Sequence, residues 1–166
     1  VVAARYFVQK TSMVMIGILF SFIALYLFRD WVDAQSFEII PHFRGYGRST
    51  RAIPWVEQYD VFFRAPNGMW LSLIGPTFSE ATISLFHMMA WIESIAIVVL
   101  LGILSLLGLM RCNAAQFLTG FVAMFWILFG TYPLGAMNPG SAIRYRAGYI
   151  PWLVMIAVMA LSDQSV

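Results

Sequence analysis

Long uncharged apolar runs constrain the fold of this chain more than any other feature. The longest, Ala114 to Met137, has 24 residues without a charged side chain. A helix rises about 1.5 Å per residue and a bilayer core is about 30 Å thick, so this run can cross a membrane. Hydrophobic residues are 61% of the sequence and charged residues 11%, whereas soluble domains average about 45–50% and about 25%. The sequence therefore predicts an all-α polytopic membrane protein. In lipid, a segment that is not part of a closed barrel satisfies all its backbone hydrogen bonds only as a helix.

The apolar runs predict about four transmembrane helices in a single domain, residues 1–166. The expected spans cover approximately residues 11–28, 90–110, 114–137 and 142–161. The first run is longer than the apolar part of a signal peptide, so we interpret it as an uncleaved span. The last apolar run, from Tyr149 to Leu161, is too short to cross unless its helix begins near Ser141, which would cap it.

The long link between the first two spans, residues 29–80, is expected to lie at the membrane interface. Within residues 54–64, four aromatic rings recur with helical spacing: Trp55, Tyr59, Phe62 and Phe63. This spacing predicts a short amphipathic helix whose rings lie among the lipid headgroups. The following residues, Ala65-Pro-Asn-Gly68, are expected to form a turn.

Arginines near the last span are candidate ligands for an anion. Nine of the ten cationic residues are arginine, whose guanidinium suits bidentate contacts to phosphate. Arg144 and Arg146 lie in the short polar link that leads into the last helix. A helix amino terminus repels cations, so two arginines there are explained if an anion binds the free N–H groups and both side chains. The alternative is that both side chains reach out to lipid phosphates.

Other candidate phosphate ligands lie in the same links. The segment Phe43–Arg51 contains a Gly-x-Gly sequence that can present N–H groups to an anion, although a solvated basic loop is the alternative interpretation. The complete candidate set is Arg144, Arg146, Asn138, Gly140, Arg64, Arg44, Arg48 and Arg51.

Glu93 is the candidate catalytic residue, although whether the chain is an enzyme stays open. It lies about one helical turn inside an apolar run, where a carboxylate is costly and is a functional candidate by default. It could orient an arginine or act as a base; alternatively, it extends to the surface or pairs with a loop arginine. His87 has no second histidine or cysteine at ligand spacing, and nothing in the sequence indicates haem or nucleotide binding. We predict no metal and no cofactor.

The arginine distribution leaves the orientation in the membrane open. With four spans, seven arginines share one side: Arg29, Arg44, Arg48, Arg51, Arg64, Arg144 and Arg146. The positive-inside rule places that side in the cytoplasm. However, the rule would not apply if these arginines serve to bind a ligand. Because the basic residues flank membrane spans, the pI of 8.9 does not indicate a nucleic-acid partner.

From about residue 40 to residue 161, the chain resembles the carboxy-terminal membrane region of bacterial family 39-like glycosyltransferases and O-antigen polymerase-like proteins. The residues that carry the resemblance are Phe62-Phe63-Arg64-Ala65-Pro66, Trp91-Ile92-Glu93, Arg111, Asn138-Pro-Gly-Ser-Ala-Ile-Arg144-Tyr-Arg146 and Ile150-Pro151. The chain departs from that pattern at Ala65, where the family has proline directly after arginine. It also lacks the amino-terminal spans and the external loop with the catalytic carboxylate.

The resemblance implies a bacterial inner-membrane protein of envelope-glycan assembly that contacts a polyprenyl-phosphate-linked glycan through loop arginines. It implies either the end of a longer protein or a small relative with a different role. The alternative function is a non-catalytic structural subunit that packs against other membrane subunits and pairs its arginines with partner acids or anionic lipids. A transporter is disfavoured, because no inverted repeat is visible and the spans lack mid-depth polar residues of both signs.

Overall fold

A computed structural model describes residues 11–44, 51, 55–111 and 114–159 of the chain. All regular secondary structure in these ranges is helical, as the sequence predicts. The helices are α1 (Thr11–Leu27), α2 (Arg29–Arg44), α3 (Asp60–Phe63), α4 (Ala65–Ile74), α5 (Phe78–Ala81), α6 (Leu85–Arg111), α7 (Ala114–Ala136) and α8 (Pro139–Met159).

Two of the described helices are long and apolar enough to cross a membrane. They are α6, over Leu85–Gly108, and α7, over Gln116–Ala136. Helices α1 and α2 give a third candidate if they form one span, although they meet at an angle of 63°. Helix α8 does not join this group, because its first half contains two arginines, two tyrosines and a serine, which lower its mean hydropathy. The described residues therefore contain two or three candidate spans where the sequence predicts about four.

The amphipathic helix predicted over residues 54–64 is wrong for most of its length. Residues 55–59 are not helical, and Tyr59 has a left-handed φ of 66°. The Asp60 carboxylate accepts hydrogen bonds from the N–H groups of Val56 (2.8 Å) and Glu57 (3.0 Å). This side-chain bonding favours a turn, in competition with a helix. As a result, only the four residues of α3 are helical before α4 begins.

The turn predicted at residues 65–68 is also wrong, because these residues form the first turn of α4. Pro66 fits there, since the first N–H groups of a helix have no intrahelical partner. Gly68 lies directly against the Tyr132 ring, and a Cβ atom at Gly68 would clash with it.

The ring of Trp55 also packs edge-on against Tyr132, with centroids 5.9 Å apart. Trp55 is therefore buried in the bundle and does not lie among headgroups.

Residue 51 and residues 55–75 form a hairpin that runs along the last turns of α7. At its start, the Arg51 N–H donates to the Met137 carbonyl at 2.8 Å. Further along, Phe62 stacks on Phe129 with centroids 5.9 Å apart, so the first arm covers about eight residues, or about 12 Å, of α7. Helix α4 then returns toward the carboxy end of α7, and Ser72 packs against Gly135.

The last three long helices surround the end of this hairpin. Helix α4 packs mainly against α7 and also contacts α8 and α6. The Tyr149 hydroxyl of α8 donates to the Ser72 carbonyl at 2.9 Å, which ties α8 to α4. Between α6 and α8 lies an apolar cluster that contains Leu101, Leu153 and Ala157. The carboxy end of α4 is therefore fixed between α6, α7 and α8.

Candidate functional site

Two arginines bind the carboxy end of α4. The helix stops at Gly75, whose φ of 77° favours glycine, and its last carbonyls have no partner within the helix. Arg146 Nη1 donates to the Ile74 carbonyl at 3.1 Å. Arg51 Nη2 donates to the Gly75 carbonyl at 2.8 Å. Because a helix carboxy terminus carries partial negative charge, two cations here stabilise α4.

Arg51 also forms a bidentate ion pair with Glu80. Its Nε and Nη2 atoms lie 2.7 Å from the two carboxylate oxygens of Glu80. Its Nη1 atom lies 3.3 Å from the carbonyls of Gly135 and Ala136, at the carboxy end of α7. All three nitrogens are thus engaged within the chain, and the side chain is only 12% exposed. Arg51 connects the hairpin to α5 and α7. Because all three of its nitrogens already donate within the chain, no edge of the guanidinium is free to bind a phosphate.

The sequence around Glu80 places its carboxylate for this pair. Thr77 and Glu80 form a capping box at the start of α5, in which Thr77 N–H donates to Glu80 Oε2 at 2.7 Å. Burial alone would raise the pKa of Glu80. The hydrogen bonds from Arg51 and Thr77 outweigh that effect and hold the pKa of Glu80 below its ordinary value.

Arg146 is buried between α4, α6 and α8. Its side chain is 2% exposed. Its guanidinium donates to the Ser94 hydroxyl and, at 3.3 Å, to the Ala90 carbonyl. It also passes directly over Gly75, where a Cβ atom would lie 2.5 Å from Nη1. Glycine at position 75 therefore provides both the positive φ and the space that the guanidinium occupies.

Glu93 lies at the outer side of this buried guanidinium. Its Oε2 atom is 3.5 Å from Arg146 Nη2, and its side chain is 63% exposed. Of the alternatives for Glu93, the structure therefore has it paired with an arginine. The Glu93 carboxylate is therefore exposed at the surface of α6, and its counter-charge is the buried guanidinium of Arg146.

Arg144 and Arg146 lie on different faces of α8. Two residues along a helix correspond to a rotation of about 200°, so their side chains leave the helix in nearly opposite directions. Arg144 is exposed and has no partner among the described residues. The structure thus separates two arginines that the sequence suggested would bind one anion together.

Asn138 caps α8, and the helix begins three residues earlier than the predicted span. The Asn138 side-chain oxygen accepts a hydrogen bond from the Ser141 N–H at 2.7 Å, and Pro139 occupies the first helical position. The expected cap at Ser141 is therefore wrong. Gly140 is exposed in the first turn.

The remaining candidate residues do not gather at this site within the described part of the chain. Arg64 pairs with Asp60, with 3.2 Å between Nε and Oδ1, and is 53% exposed. Arg44 is the last residue of α2, and the structure describes its backbone only. Arg48 lies outside the described residues.

Comparisons with known proteins add no family assignment. No protein-family model matches the chain, no curated protein is similar to it, and no solved structure matches its fold. The resemblance to envelope-glycan proteins therefore rests on the sequence motifs alone.

Sequence reasoning missed three contributors to the site: Gly75, Glu80 and Ser94. Glu80 had a readable signal, because Thr77-Phe-Ser-Glu80 is a capping-box sequence. Gly75-Pro76 after an apolar segment is likewise a helix-stop signal. Ser94 had no such signal, since its contact with Arg146 joins residues 52 positions apart.

Proposed function

We propose that this chain is an integral protein of a bacterial inner membrane that contacts a polyprenyl-phosphate-linked glycan during envelope-glycan assembly. The observation that carries the proposal is the exposed Glu93 carboxylate held on a membrane-crossing helix by a buried arginine. A charged side chain on such a helix is costly and is retained when it has a role. A carboxylate can accept hydrogen bonds from glycan hydroxyls, and its counter-charge is already in place.

The phosphate is assigned to Arg144. Its guanidinium is exposed on α8 and has no partner among the described residues, so its donors are free for bidentate contacts. Arg64 keeps part of its guanidinium exposed and is the second phosphate candidate. Arg51 and Arg146 hold the fold and act on the substrate indirectly, through the positions of α4 and Glu93.

The proposal includes four membrane crossings. Helix α8 has 21 residues, which is about 32 Å and sufficient for a bilayer core. Arg146 is paired with the Glu93 carboxylate, and Arg144 lies near the helix start, where its side chain can reach the surface. Helices α1 and α2 would supply the remaining crossing as one bent span.

Native mass spectrometry in mild detergent tests the substrate class. The probe is a polyprenyl phosphate, and the control ligand is the corresponding polyprenol without phosphate. We expect the wild-type protein to retain the phosphate and not the alcohol, and Arg144→Ala to weaken retention by about tenfold to a hundredfold, because a hydrogen bond to a charged group is worth about 1.5–3 kcal/mol. Gly148→Ala, on the same helix, is the matched control. Equal retention of the two ligands would refute the proposal.

The second candidate is a non-catalytic subunit of a larger membrane complex. The exposed position of Glu93 on the outer side of α6 favours it, because a partner helix with a basic residue could pair there. The same spectra distinguish the two functions. Unrelated membrane chains bound in fixed stoichiometry, and lost in Glu93→Gln, would identify a subunit; a single chain with bound polyprenyl phosphate would not.

A further inference from the structure

An apolar groove lies between α6 and α7, at the end of the bundle farthest from Arg144. Its volume is about 460 Å³, within the roughly 300–1,000 Å³ of ligand sites. Ser105 and Gly108 of α6 face Phe117 and Gly120 of α7 across it. Helix α4 closes its inner end with Met69 and other apolar residues.

Small side chains create the groove. Helices α6 and α7 follow each other directly in the chain, yet they make few contacts, and each packs more extensively on α8. Helix α8 therefore forms the back of the groove. At Gly120 a leucine side chain would enter the space in front of Ile156, whose Cγ2 atom lies 3.5 Å from a Cβ built at that glycine. Two exposed aromatic residues, Trp70 and Phe121, flank the open side.

The apolar lining of the groove favours a hydrocarbon ligand. None of the lining residues is charged, and the polar side-chain groups of the lining are a serine hydroxyl and an indole N–H. A water molecule needs about two to four polar partners, so water does not fill such a space well. The helices that line the groove include both helices apolar enough to cross a membrane. The material that surrounds its open side is therefore lipid.

The dimensions of the groove match one leaflet. Its α7 side extends from Phe117 to Leu128, eleven residues apart or about 16 Å, and half of a bilayer core is about 15 Å. Arg111, the last residue of α6, lies one turn beyond Gly108. The sequence has an arginine at that end of α6, and basic residues beside a membrane span attract anionic lipid headgroups.

We propose that this groove binds one acyl chain of a phospholipid from the leaflet beside the carboxy end of α6 and the amino end of α7. The chain fills the separation between α6 and α7 and acts as a structural part of the bundle. This site is independent of the proposed substrate contact. Ile156 lies twelve residues, or about 18 Å, along α8 from Arg144, toward the opposite membrane surface.

Photo-crosslinking in liposomes tests the site. The probe is phosphatidylglycerol with a diazirine on one acyl chain, and labelled peptides are mapped by mass spectrometry. We expect residues 117–128 to be labelled more strongly than the exposed face of α6 around Ile103. Gly120→Leu should lower labelling of residues 117–128 by about fivefold, equivalent to about 1 kcal/mol, because the new side chain occupies the groove.

Gly130→Leu is the matched control, since it makes the same change on the same helix, where a Cβ would meet no atom within 4 Å. It should leave the labelling unchanged. Ser105→Leu fills the groove from α6 and serves if Gly120→Leu does not fold. Labelling that is uniform over the apolar surface, or that survives both groove-filling substitutions, would overturn the proposal and indicate general lipid contact only.

Discussion

Arg51 connects segments that are far apart in the chain, and its side chain is almost fully engaged. It binds the Glu80 carboxylate and carbonyl oxygens at the ends of two helices. Both members of the ion pair are largely buried, with 12% and 18% of their side chains exposed. Removal of one member of such a pair leaves the other buried charge without a counter-charge. The main role of Arg51 is therefore structural.

We expect Arg51→Ala to lower the free energy of unfolding by about 3–5 kcal/mol, the usual cost of breaking a buried pair. Arg51→Lys should recover only part of this loss, because an ammonium group cannot reproduce the planar bidentate geometry. Arg144→Ala is the control and should change stability by less than about 0.5 kcal/mol, since Arg144 is exposed. Denaturant unfolding in detergent micelles measures all three. Equal stability of Arg51→Ala and the wild type would contradict the role of Arg51.

Gly75 is the second residue with a specific structural requirement. Its φ is 77°, and a Cβ there would lie 2.5 Å from the Arg146 guanidinium. We expect Gly75→Ala to destabilise the protein by about 1–3 kcal/mol through backbone strain. In contrast, Gly148→Ala should stabilise α8 by about 0.5–1 kcal/mol, because that glycine is inside a helix and a Cβ would meet no neighbour. Opposite signs for these two substitutions in thermal unfolding would confirm the difference.

At the scale of elements, the short α5 connects the hairpin to α6 through the charge of Glu80. The pKa of Glu80 is below its ordinary value in the folded chain. Its carboxylate therefore stabilises the fold at any pH above the unfolded value, about 4.5, and this contribution disappears as the pH falls through the folded pKa. Acidification should thus weaken the attachment of α5 to Arg51.

We expect the stability advantage of the wild type over Glu80→Gln to be largest near neutral pH and to shrink as the pH falls below about 4.5. Melting temperatures of the two proteins across that range measure the effect, and their difference removes the contribution of other carboxylates. A difference that is constant with pH would mean that Glu80 acts through hydrogen bonds alone.

The sequence predicted elements well where a single physical effect dominates. Helices α6 and α7 follow from their uncharged apolar runs. The prediction over residues 54–64 failed because Asp60 bonds to local backbone N–H groups and because Trp55 is buried against α7, neither of which aromatic spacing reveals. The start of α8 was readable, since Asn-Pro is a cap followed by a first helical position.

The candidate site was less predictable than the elements, because its contacts join distant residues. Glu93 was identified from the cost of a carboxylate in an apolar run, and it does pair with an arginine. However, Arg51 and Glu80 are 29 residues apart, so no local pattern pairs them. The division between Arg144 and Arg146 could have been expected from helical rotation alone, which places neighbours of this spacing on opposite faces.

At the scale of the whole molecule, the number of crossings determines which groups share a membrane surface. With α6, α7 and α8 all crossing, the segment around Ser79 and the start of α8 face one side. In that arrangement the link between α6 and α7, which contains Cys112, and the residues that follow α8 would be on the other side. The decisive helix is α8, because only its crossing places the chain end on the same side as Cys112.

Cysteine labelling with a membrane-impermeant maleimide distinguishes these arrangements in sealed vesicles of known orientation. Cys112 serves as one site, and Ser79→Cys, Gly140→Cys and Ser165→Cys, each combined with Cys112→Ser, provide the others. We expect Ser165→Cys to be labelled from the same side as Cys112, and Ser79→Cys and Gly140→Cys from the opposite side. Labelling of Ser165→Cys with Gly140→Cys would mean that α8 does not cross. In that case Arg146 would stabilise a helix that lies at the interface, and the groove between α6 and α7 would lose its membrane-embedded back.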